Sequence, residues 1–525
     1  MKTHNLRFKS PLFLLLSFIF YLLPCAAQTG NDAQWATAGK QAVGTSASLE
    51  SKVWFTLANG VMTEVYYPDV TVANVHLLQF VVVNPKTKKV ETELDDAIHK
   101  IESHEVSVSK NVSPFSQIGI YKDYNSPSSL VFKQTNTSKT ADWRIEKTYI
   151  TDPKSNTVLI SVNFQSKTPD LEFYVYYDPS LGNSGMHDTG WTEGRFLLSS
   201  DGEIASALTC GRCKFSNETN GFLGVNDGLT QLRENGKIVQ SVSRAENGNL
   251  VQVAKVTSIS MGLRPSTNEN IAVIGKDGNF KIGSLGNQSS SMIFAIGFGK
   301  TTNSALANAQ NSLIKGYEQN YREYQEGWTN YLKNLPKIDP KYQAQFNMAA
   351  MILKAFEDKT HRGANIASLS IPWGGGVNAN EVGSSGYHAV WARDLYQVAT
   401  AFMALGDKDA ANRALDFLFK VQQKTDGSYP QNSWLDGKPI GGSLQMDQVG
   451  FPLILAHELG RFDKETYTKH IKPAADFIVK NGPTTQQERW EEKGGYSPST
   501  IAAEIAGLVC AAAIATIYDH LESEK

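Results

Sequence analysis

The hydrophobic pattern of this chain changes its period near residue 300, and that change limits the possible folds more than any other feature. From about Val53 to Lys300, short runs of β-branched and aromatic residues alternate with turn clusters. Such runs are typical of a large antiparallel sandwich. After Lys300 the apolar residues recur at helical spacing instead. Because 525 residues exceed what one core usually holds, the sequence predicts a β domain followed by a helical region.

The strongest strand predictions in the first part are six runs rich in β-branched and aromatic residues. They cover residues 53–57, 79–83, 143–150, 157–164, 173–177 and 292–298. A long turn-rich loop is predicted from Leu181 to Trp191, where Gly, Asn and Ser cluster. His187 and Asp188 lie in that loop, and we interpret them as ordinary polar loop residues rather than as a binding site.

The second part predicts a helical linker and then six helices. Residues 301–332 are polar with alanines at helical spacing, which indicates linker helix on the surface. Ser497 and Pro498 suit the N-cap and the first position of the last helix. Long loops that hold most Trp, Tyr and Gly of this part separate the helices, and such loops usually carry function. The six predicted helices cover residues 340–357, 391–405, 408–423, 446–459, 464–480 and 499–521.

The N-terminus has the pattern of a secretory signal peptide at residues 1–27. Three basic residues precede an apolar run at 11–23, and small residues stand before a cut after Ala27. The run is short for a membrane-spanning helix. Cys25 leaves a lipoprotein as an alternative, which Pro24 disfavours. We therefore expect a soluble, exported protein in the periplasm or outside the cell.

Charge and cysteine usage exclude several classes of function. The net charge is −2, and removal of the three basic leader residues makes it more negative, which disfavours nucleic acid as a partner. Cys210 and Cys213 could form a disulfide loop, a redox pair or half of a zinc site. No second such pair accompanies them, so a structural role is favoured, and no metal or cofactor is expected. Cys510 lies in an apolar run and is predicted to be core.

Two adjacent carboxylates, Glu491 and Glu492, follow Trp490 in a Gly-containing loop before the last helix. A carboxyl group held beside an indole ring and a second carboxylate has its ionised form disfavoured. A general acid needs this property, because it must keep its proton near neutral pH. Taken alone, the same three residues are also typical of a solvated acidic loop that caps a helix.

Two earlier loops carry related chemistry. Trp391 stands beside Arg393 and Asp394, and such a group can stack on a sugar face and bind its hydroxyls. An ordinary ion pair between Arg393 and Asp394 is the structural alternative. The other loop contains Trp434 and ends at Asp447, which either binds substrate or begins the next helix, where an acid is favoured.

In their order along the chain, these segments resemble the bacterial members of glycoside hydrolase family 15, the glucoamylase and glucodextranase family. The segment 391–394 resembles the family's Trp-x-Arg-Asp motif, whose Arg and Asp hold the terminal, non-reducing glucose. Tyr387 matches an active-site tyrosine of the same segment. The segment 490–492 resembles the acid motif, in which the first Glu protonates the leaving oxygen and the second binds the neighbouring sugar.

The likeness extends over nearly the whole chain. The segment 445–447 resembles the family's substrate loop, and 52–68 resembles the start of its N-terminal sandwich. The resemblance implies an antiparallel super-β-sandwich at 31–300, a helical linker at 301–338 and an (α/α)6 barrel at 339–525. That barrel has twelve helices with its catalytic base in the second half, whereas six helices are predicted here.

We therefore expect only the first half of the barrel within these residues and the catalytic base beyond Lys525. The last helix is apolar nearly all round, which suits a helix buried on most sides. We also expect the 525-residue chain, expressed alone, to be inactive and poorly soluble, since an open half-barrel exposes apolar faces.

The resemblance implies an exo-acting, inverting hydrolase that releases glucose from the non-reducing ends of α-glucans. It would be a monomer with Glu491 as its general acid, and it would have no nucleic-acid or membrane partner. A glucan 1,6-α-glucosidase is an alternative, because linkage preference is not readable from these motifs. A phosphorylase would need a cationic phosphate pocket, for which these loops have no Lys/Arg cluster. A carbohydrate-binding protein without turnover is the alternative from another class.

Overall fold

The computed structural model describes residues 29–103, 127–258, 288–370 and 386–523, so the predicted leader at 1–27 lies outside the described residues. Two antiparallel sheets form the β domain. Its strands are, in chain order, β1 (Ala42–Gly44), β2 (Trp54–Ala58), β3 (Val61–Tyr66), β4 (Val75–Asn84), β5 (Lys89–Thr92), β6 (Ala97–Ser103), β7 (Phe132–Ser138), β8 (Trp143–Thr151), β9 (Thr157–Ser166), β10 (Glu172–Pro179), β11 (Asp188–Glu193), β12 (Phe196–Ser200), β13 (Ala205–Gly211), β14 (Cys213–Phe222), β15 (Arg244–Gly248), β16 (Leu250–Ser258) and β17 (Gln288–Gly299).

The two sheets lie face to face, as the strand pattern predicts. One has the order β1-β2-β3-β4-β10-β16-β14 with β5 beside β4, and the other has the order β15-β11-β12-β13-β17-β9-β8-β7-β6. Phe80 of the first sheet meets Phe294 of the second with ring centroids 5.0 Å apart, so aromatic rings from both sheets share one core. All six predicted strands are confirmed, because their β-branched and aromatic residues fill this interior.

The predicted loop from Leu181 to Trp191 is wrong in its second half, because Asp188 begins β11. The Asp188 side chain is fully buried and accepts a hydrogen bond from the Leu181 amide at 3.2 Å. Burial raises the pKa of this carboxyl well above its usual range. Its role is therefore structural. Cys210 and Cys213 form a disulfide between the ends of β13 and β14.

The helical region follows the predicted segments closely. The β domain also contains two short helices, α1 (Glu93–Asp96) and α2 (Gly228–Asn235). After β17 come α3 (Thr302–Lys315), α4 (Tyr317–Lys333), α5 (Pro340–Ala355), α6 (Ala392–Leu405), α7 (Lys408–Phe417), α8 (Asp447–Glu458), α9 (Lys464–Thr466), α10 (Lys472–Asn481) and α11 (Pro498–Ser523). A π-helical turn, Leu418–Gln422, extends α7, and another, Tyr467–Ile471, joins α9 to α10. The strands β18 (Asn432–Ser433) and β19 (Pro439–Gly441) form a small hairpin.

The prediction of a surface linker at 301–332 is wrong in its placement. The segment is two helices separated at Gly316, whose φ of 88° ends α3. Ala305 and Ala309 of α3 are buried, and a Cβ on Gly297 of β17 would lie 2.2 Å from the Ala305 carbonyl oxygen. Trp328 of α4 is also buried. One face of these two helices covers the sheet. Its small and aromatic residues are mixed with polar ones, so the sequence pattern predicted a surface position.

Buried hydrogen bonds join the β domain to the helical region. The indole of Trp54 in β2 donates to the Ala355 carbonyl at 2.8 Å. The ammonium group of Lys359 donates to the Thr45 hydroxyl at 2.7 Å and to the Ser51 carbonyl at 2.8 Å. A buried polar group without a hydrogen-bond partner costs free energy, so these contacts favour one placement of the β domain against the helical region.

The last helix packs on α8 at two glycines. A Cβ on Gly507 would lie 2.9 Å from the Cα of Gly450, so the two backbones touch. The opposite flank is open: Ile505 and Val509 are 59% and 64% exposed, and Cys510, predicted as core, is half-buried. Among the helices of the described residues, α11 alone has the length and composition to cross a membrane. One third of the residues in its most apolar stretch are buried.

Candidate active site

The Arg393 guanidinium connects the three loops that the sequence predicts to form a site. It projects from the first turn of α6 and donates through Nη1 to Gln445 Oε1 at 2.8 Å and to Asp447 Oδ2 at 2.9 Å. Its Nη2 also donates to the Arg489 carbonyl oxygen at 3.4 Å. The loop before α6, the loop before α8 and the loop before α11 therefore meet at one cation.

The ion pair at this centre differs from the predicted alternative. Arg393 pairs with Asp447, the first residue of α8, and not with its neighbour Asp394. Burial raises the pKa of the Asp394 carboxyl above its usual range, the charge of Arg393 opposes that shift, and the charges of Asp447 and Glu491 reinforce it. The Asp394 carboxyl is therefore within electrostatic reach of the Arg393 guanidinium and of the carboxyl groups of Asp447 and Glu491.

The loop that carries the acidic pair is closed at its base by the backbone. The amide of Thr485 donates to the Gly495 carbonyl at 3.0 Å, and the reverse bond is 2.8 Å long. Within the loop, the Glu491 amide donates to the Glu488 carbonyl at 2.9 Å. Glu491 has a φ of 67°, which is rare for a residue with a side chain. A positive φ at a residue with a side chain occurs in tight turns and at functional sites.

A second set of contacts anchors this loop to the start of α8. The Met446 amide donates to the Thr485 hydroxyl at 3.1 Å. The side-chain amide of Gln445 donates to Gln487 Oε1 at 3.1 Å while its oxygen accepts from Arg393. The placement of the acidic loop therefore depends on the same glutamine that orients the guanidinium.

The indole that the sequence places next to Glu491 lies on the surface. Trp490 is 71% exposed, and the Arg489 guanidinium lies 5.0 Å from the centroid of its ring. The side chains of Glu491 and Glu492 are exposed as well. Residues 490–492 therefore lie on the surface, and sequence spacing does not show this exposure.

The aromatic residues of the site differ in their exposure to solvent. Trp391 is buried, and its ring meets that of Tyr387 edge to face at 6.2 Å, while Tyr387 itself is 46% exposed. Trp434 is half-buried at the end of β18. Reciprocal backbone bonds of 2.9 and 3.0 Å between Val390 and Ser433 bring that strand beside the segment of Tyr387 and Trp391.

Gln448, which none of the sequence motifs includes, is fully buried in the first turn of α8. Its side-chain amide donates to the Gln431 carbonyl at 2.9 Å and to Gln445 Oε1 at 2.8 Å, and its oxygen accepts from the Arg393 amide at 3.3 Å. Its sequence signal is a glutamine at the start of an otherwise apolar helix, a position that indicates a buried polar side chain. Within the described ranges, no group of three or more His, Cys, Asp or Glu residues could hold a metal ion.

Comparison with known proteins places this geometry in a family. The model of glucodextranase domain N matches residues 25–277 and 263–333, and that of the glycosyl hydrolases family 15 matches residues 342–431 and 419–524. The chain belongs to glycoside hydrolase family 15. Two family models in succession thus cover the β domain and the helical region of this family 15 chain.

Three relatives illustrate the similarity. A glucoamylase of Clostridium sp. (strain G0005) is 37% identical over 503 residues, which are 94% of this chain and 64% of that protein. The crystal structure of a bacterial glucoamylase complexed with acarbose matches with a TM-score of 0.79 and 37% identity, over 94% of this chain and 66% of that one. An uncharacterised glycosyl hydrolase of Methanocaldococcus jannaschii is 31% identical over 158 residues, 29% of this chain and 26% of that protein. The family 15 chain spans just under two thirds of either glucoamylase.

Proposed function

We propose that this family 15 protein is an exo-acting hydrolase that releases glucose from the non-reducing ends of α-glucans with inversion. The observation that carries the proposal is the meeting of three loops at Arg393, beside Asp394 and Glu491. The similarity to glucoamylases, one of them complexed with acarbose, supports an oligosaccharide substrate.

The residues divide into binding and chemical roles. Arg393 and Asp394 bind hydroxyls of the terminal glucose through charge-assisted hydrogen bonds, while Asp447 holds the guanidinium in one orientation. Tyr387, Trp391, Trp434 and Trp490 offer ring faces and edges to the sugars. Glu492 binds the neighbouring sugar.

Glu491 is the general acid in this proposal and donates a proton to the glycosidic oxygen as the bond breaks. Inversion also needs a second carboxylate, which activates a water on the opposite sugar face. We expect that base beyond Lys525. Bound sugar would cover the exposed Glu491 carboxyl and remove it from water.

The finer architecture follows the family. We propose that α5 to α11 are half of an (α/α)6 barrel, with the sandwich at 31–300, the connecting helices at 301–338 and the barrel from 339. The leader at 1–27 would export the protein to the periplasm or the medium. The active protein would be a monomer with no nucleic-acid or membrane partner.

A linkage-resolved panel tests the proposal. Maltose, isomaltose, starch and dextran are incubated with a form of the protein that carries the whole family barrel, because the 525-residue chain alone is expected to be inactive. The anomer of released glucose is followed by NMR, and acarbose binding is measured by calorimetry. Release of β-glucose from maltose and starch supports the proposal, whereas preference for isomaltose and dextran favours the 1,6-α-glucosidase. Acarbose binding without turnover favours the carbohydrate-binding protein. Neither binding nor glucose release would contradict all three.

A further inference from the structure

A strand of the β domain reaches the segment that carries Tyr387, Trp391 and Arg393. Tyr66, the last residue of β3, is fully buried, and its hydroxyl oxygen lies 2.7 Å from the Leu369 carbonyl oxygen. The same oxygen lies 3.4 Å from Nε2 of His388, which directly follows Tyr387. One hydroxyl of the β domain is therefore in contact with two backbone segments of the helical region.

Charged groups of the β domain hold this hydroxyl. The Tyr66 hydroxyl proton is shared between the Leu369 carbonyl oxygen and Glu64 Oε2, which lies 2.8 Å from the hydroxyl oxygen, and the Glu64 carboxylate is itself buried. The Lys40 ammonium lies 2.5 Å from the same oxygen, and the Ala36 amide donates to Oε1 at 3.1 Å. Because each of these groups belongs to the β domain, contacts within that domain orient the hydroxyl.

The His388 ring is enclosed by aromatic side chains of the β domain. It meets the Tyr66 ring edge to face at 5.3 Å and the Trp35 ring at 6.1 Å, and it is buried. Burial lowers the pKa of His388 to about 4, so the ring is neutral at pH 7. A buried ring that packs against these two aromatic rings cannot move without disturbing the residue before it.

Backbone hydrogen bonds transmit this placement to the site. The Ser368 amide donates to the Tyr387 carbonyl at 3.1 Å, and the Ala367 amide donates to the Ala389 carbonyl at 3.0 Å. The Ser370 hydroxyl donates to the Ala38 carbonyl of the β domain at 3.0 Å. The segments 367–370 and 387–390 are therefore one unit that the β domain holds at two points.

We propose that Tyr66 and Glu64 are positioning residues of the sugar site, which act through His388 to hold Tyr387 and Trp391 against the terminal glucose. This assignment rests on the proposed function for its ligand, but the contacts themselves do not. The β domain then contributes to sugar affinity without touching sugar. A displacement of about 1 Å in a positioned group can cost on the order of a hundredfold in rate, so one lost hydroxyl is enough to be measured.

The test compares two tyrosine hydroxyls in the same domain. Tyr66→Phe removes the hydroxyl at the domain contact, and Tyr149→Phe removes a fully buried one in β8 that donates to Gln134 Oε1 at 2.8 Å. Both variants should lose similar stability to urea. Tyr66→Phe should weaken acarbose binding about tenfold, the scale of one buried hydrogen bond, and Tyr149→Phe should leave it unchanged. The combined effect of Tyr66→Phe and His388→Gln should be smaller than the product of the two.

Two outcomes overturn the inference. One is equal acarbose affinity in Tyr66→Phe and Tyr149→Phe. The other is unaltered amide hydrogen exchange across residues 387–391 in Tyr66→Phe. If the unmodified protein does not bind acarbose, the proposed function fails, and the exchange rates alone decide on positioning: faster exchange confined to Tyr66→Phe supports it, and equal rates in both variants refute it.

Discussion

The crossing of α8 and α11 allows a sharp prediction about one glycine. A Cβ on Gly450 would lie 2.5 Å from the Ala503 carbonyl oxygen and 2.8 Å from its carbonyl carbon. Both atoms belong to the backbone of α11, so no side-chain rotation can relieve the contact. Gly450→Ala therefore requires α11 to move away from α8.

Two opposing effects set the size of the change. Alanine in a helix interior is favoured over glycine by about 1 kcal/mol. Overpacking a tight core contact typically costs about 1–3 kcal/mol, and a backbone neighbour makes the upper end of that range the better estimate. We expect Gly450→Ala to lower the free energy of unfolding by about 1–2 kcal/mol. Acarbose affinity should also fall, because α11 begins directly after the loop of Glu491.

Gly327 of α4 supplies the matched control. A Cβ there would have Ala47 Cβ at 3.4 Å as its nearest neighbour, which is ordinary contact. Gly327→Ala should therefore raise the free energy of unfolding by up to about 1 kcal/mol. Urea unfolding followed by far-UV circular dichroism measures both. Equal stabilisation by the two substitutions would refute the crossing geometry.

Three further predictions concern buried charge. Burial lowers the pKa of His388 from 6.5 to about 4, so between these pH values the unfolded chain takes up a proton that the folded protein does not. The free energy of unfolding of the unmodified protein should therefore fall by about 3 kcal/mol as the pH drops from 6.5 to 4. A parallel pH dependence of the free energy of unfolding in His388→Gln would contradict this. Burial acts to raise the pKa of Glu357, but Arg413 and Lys354 bring it down to about 2. Glu357→Gln should cost about 3–5 kcal/mol in urea at pH 7, a difference that shrinks between pH 4.5 and 2. Arg393→Lys should weaken acarbose binding about tenfold in calorimetry, because an ammonium group lacks the planar fork that Asp447 orients; unchanged affinity would remove Arg393 from the site.

Secondary structure was largely predictable because local signals and packing agree. The last helix begins at Pro498, where the capping residues place it, and the six strongest apolar runs are strands. The prediction of a surface linker was wrong because there the local pattern and the packing disagree. Its buried stripe of Ala305, Ala309 and Trp328 is sparse and mixed with polar residues, so composition alone placed it in solvent.

The site residues were predictable as types but not as partners. The motif identifies Arg393 as important, but adjacency in sequence suggested Asp394, whereas the helix geometry gives Asp447 as its ion-pair partner. The exposure of Glu491 and its positive φ are not predictable from a glutamate in a Gly-containing loop. The contact of Tyr66 with His388 joins residues 322 positions apart, and no local pattern reports such a pairing.

The role of Glu491 is the central claim of this account. The most direct test measures maltose turnover and acarbose affinity for Glu491→Gln and Glu492→Gln in an active preparation of the protein. Loss of a general acid typically costs on the order of 10²–10⁴ in rate. We predict that Glu491→Gln loses turnover on this scale while binding acarbose with little change, and that Glu492→Gln loses affinity more than turnover. Near-normal turnover of maltose by Glu491→Gln would contradict the claim.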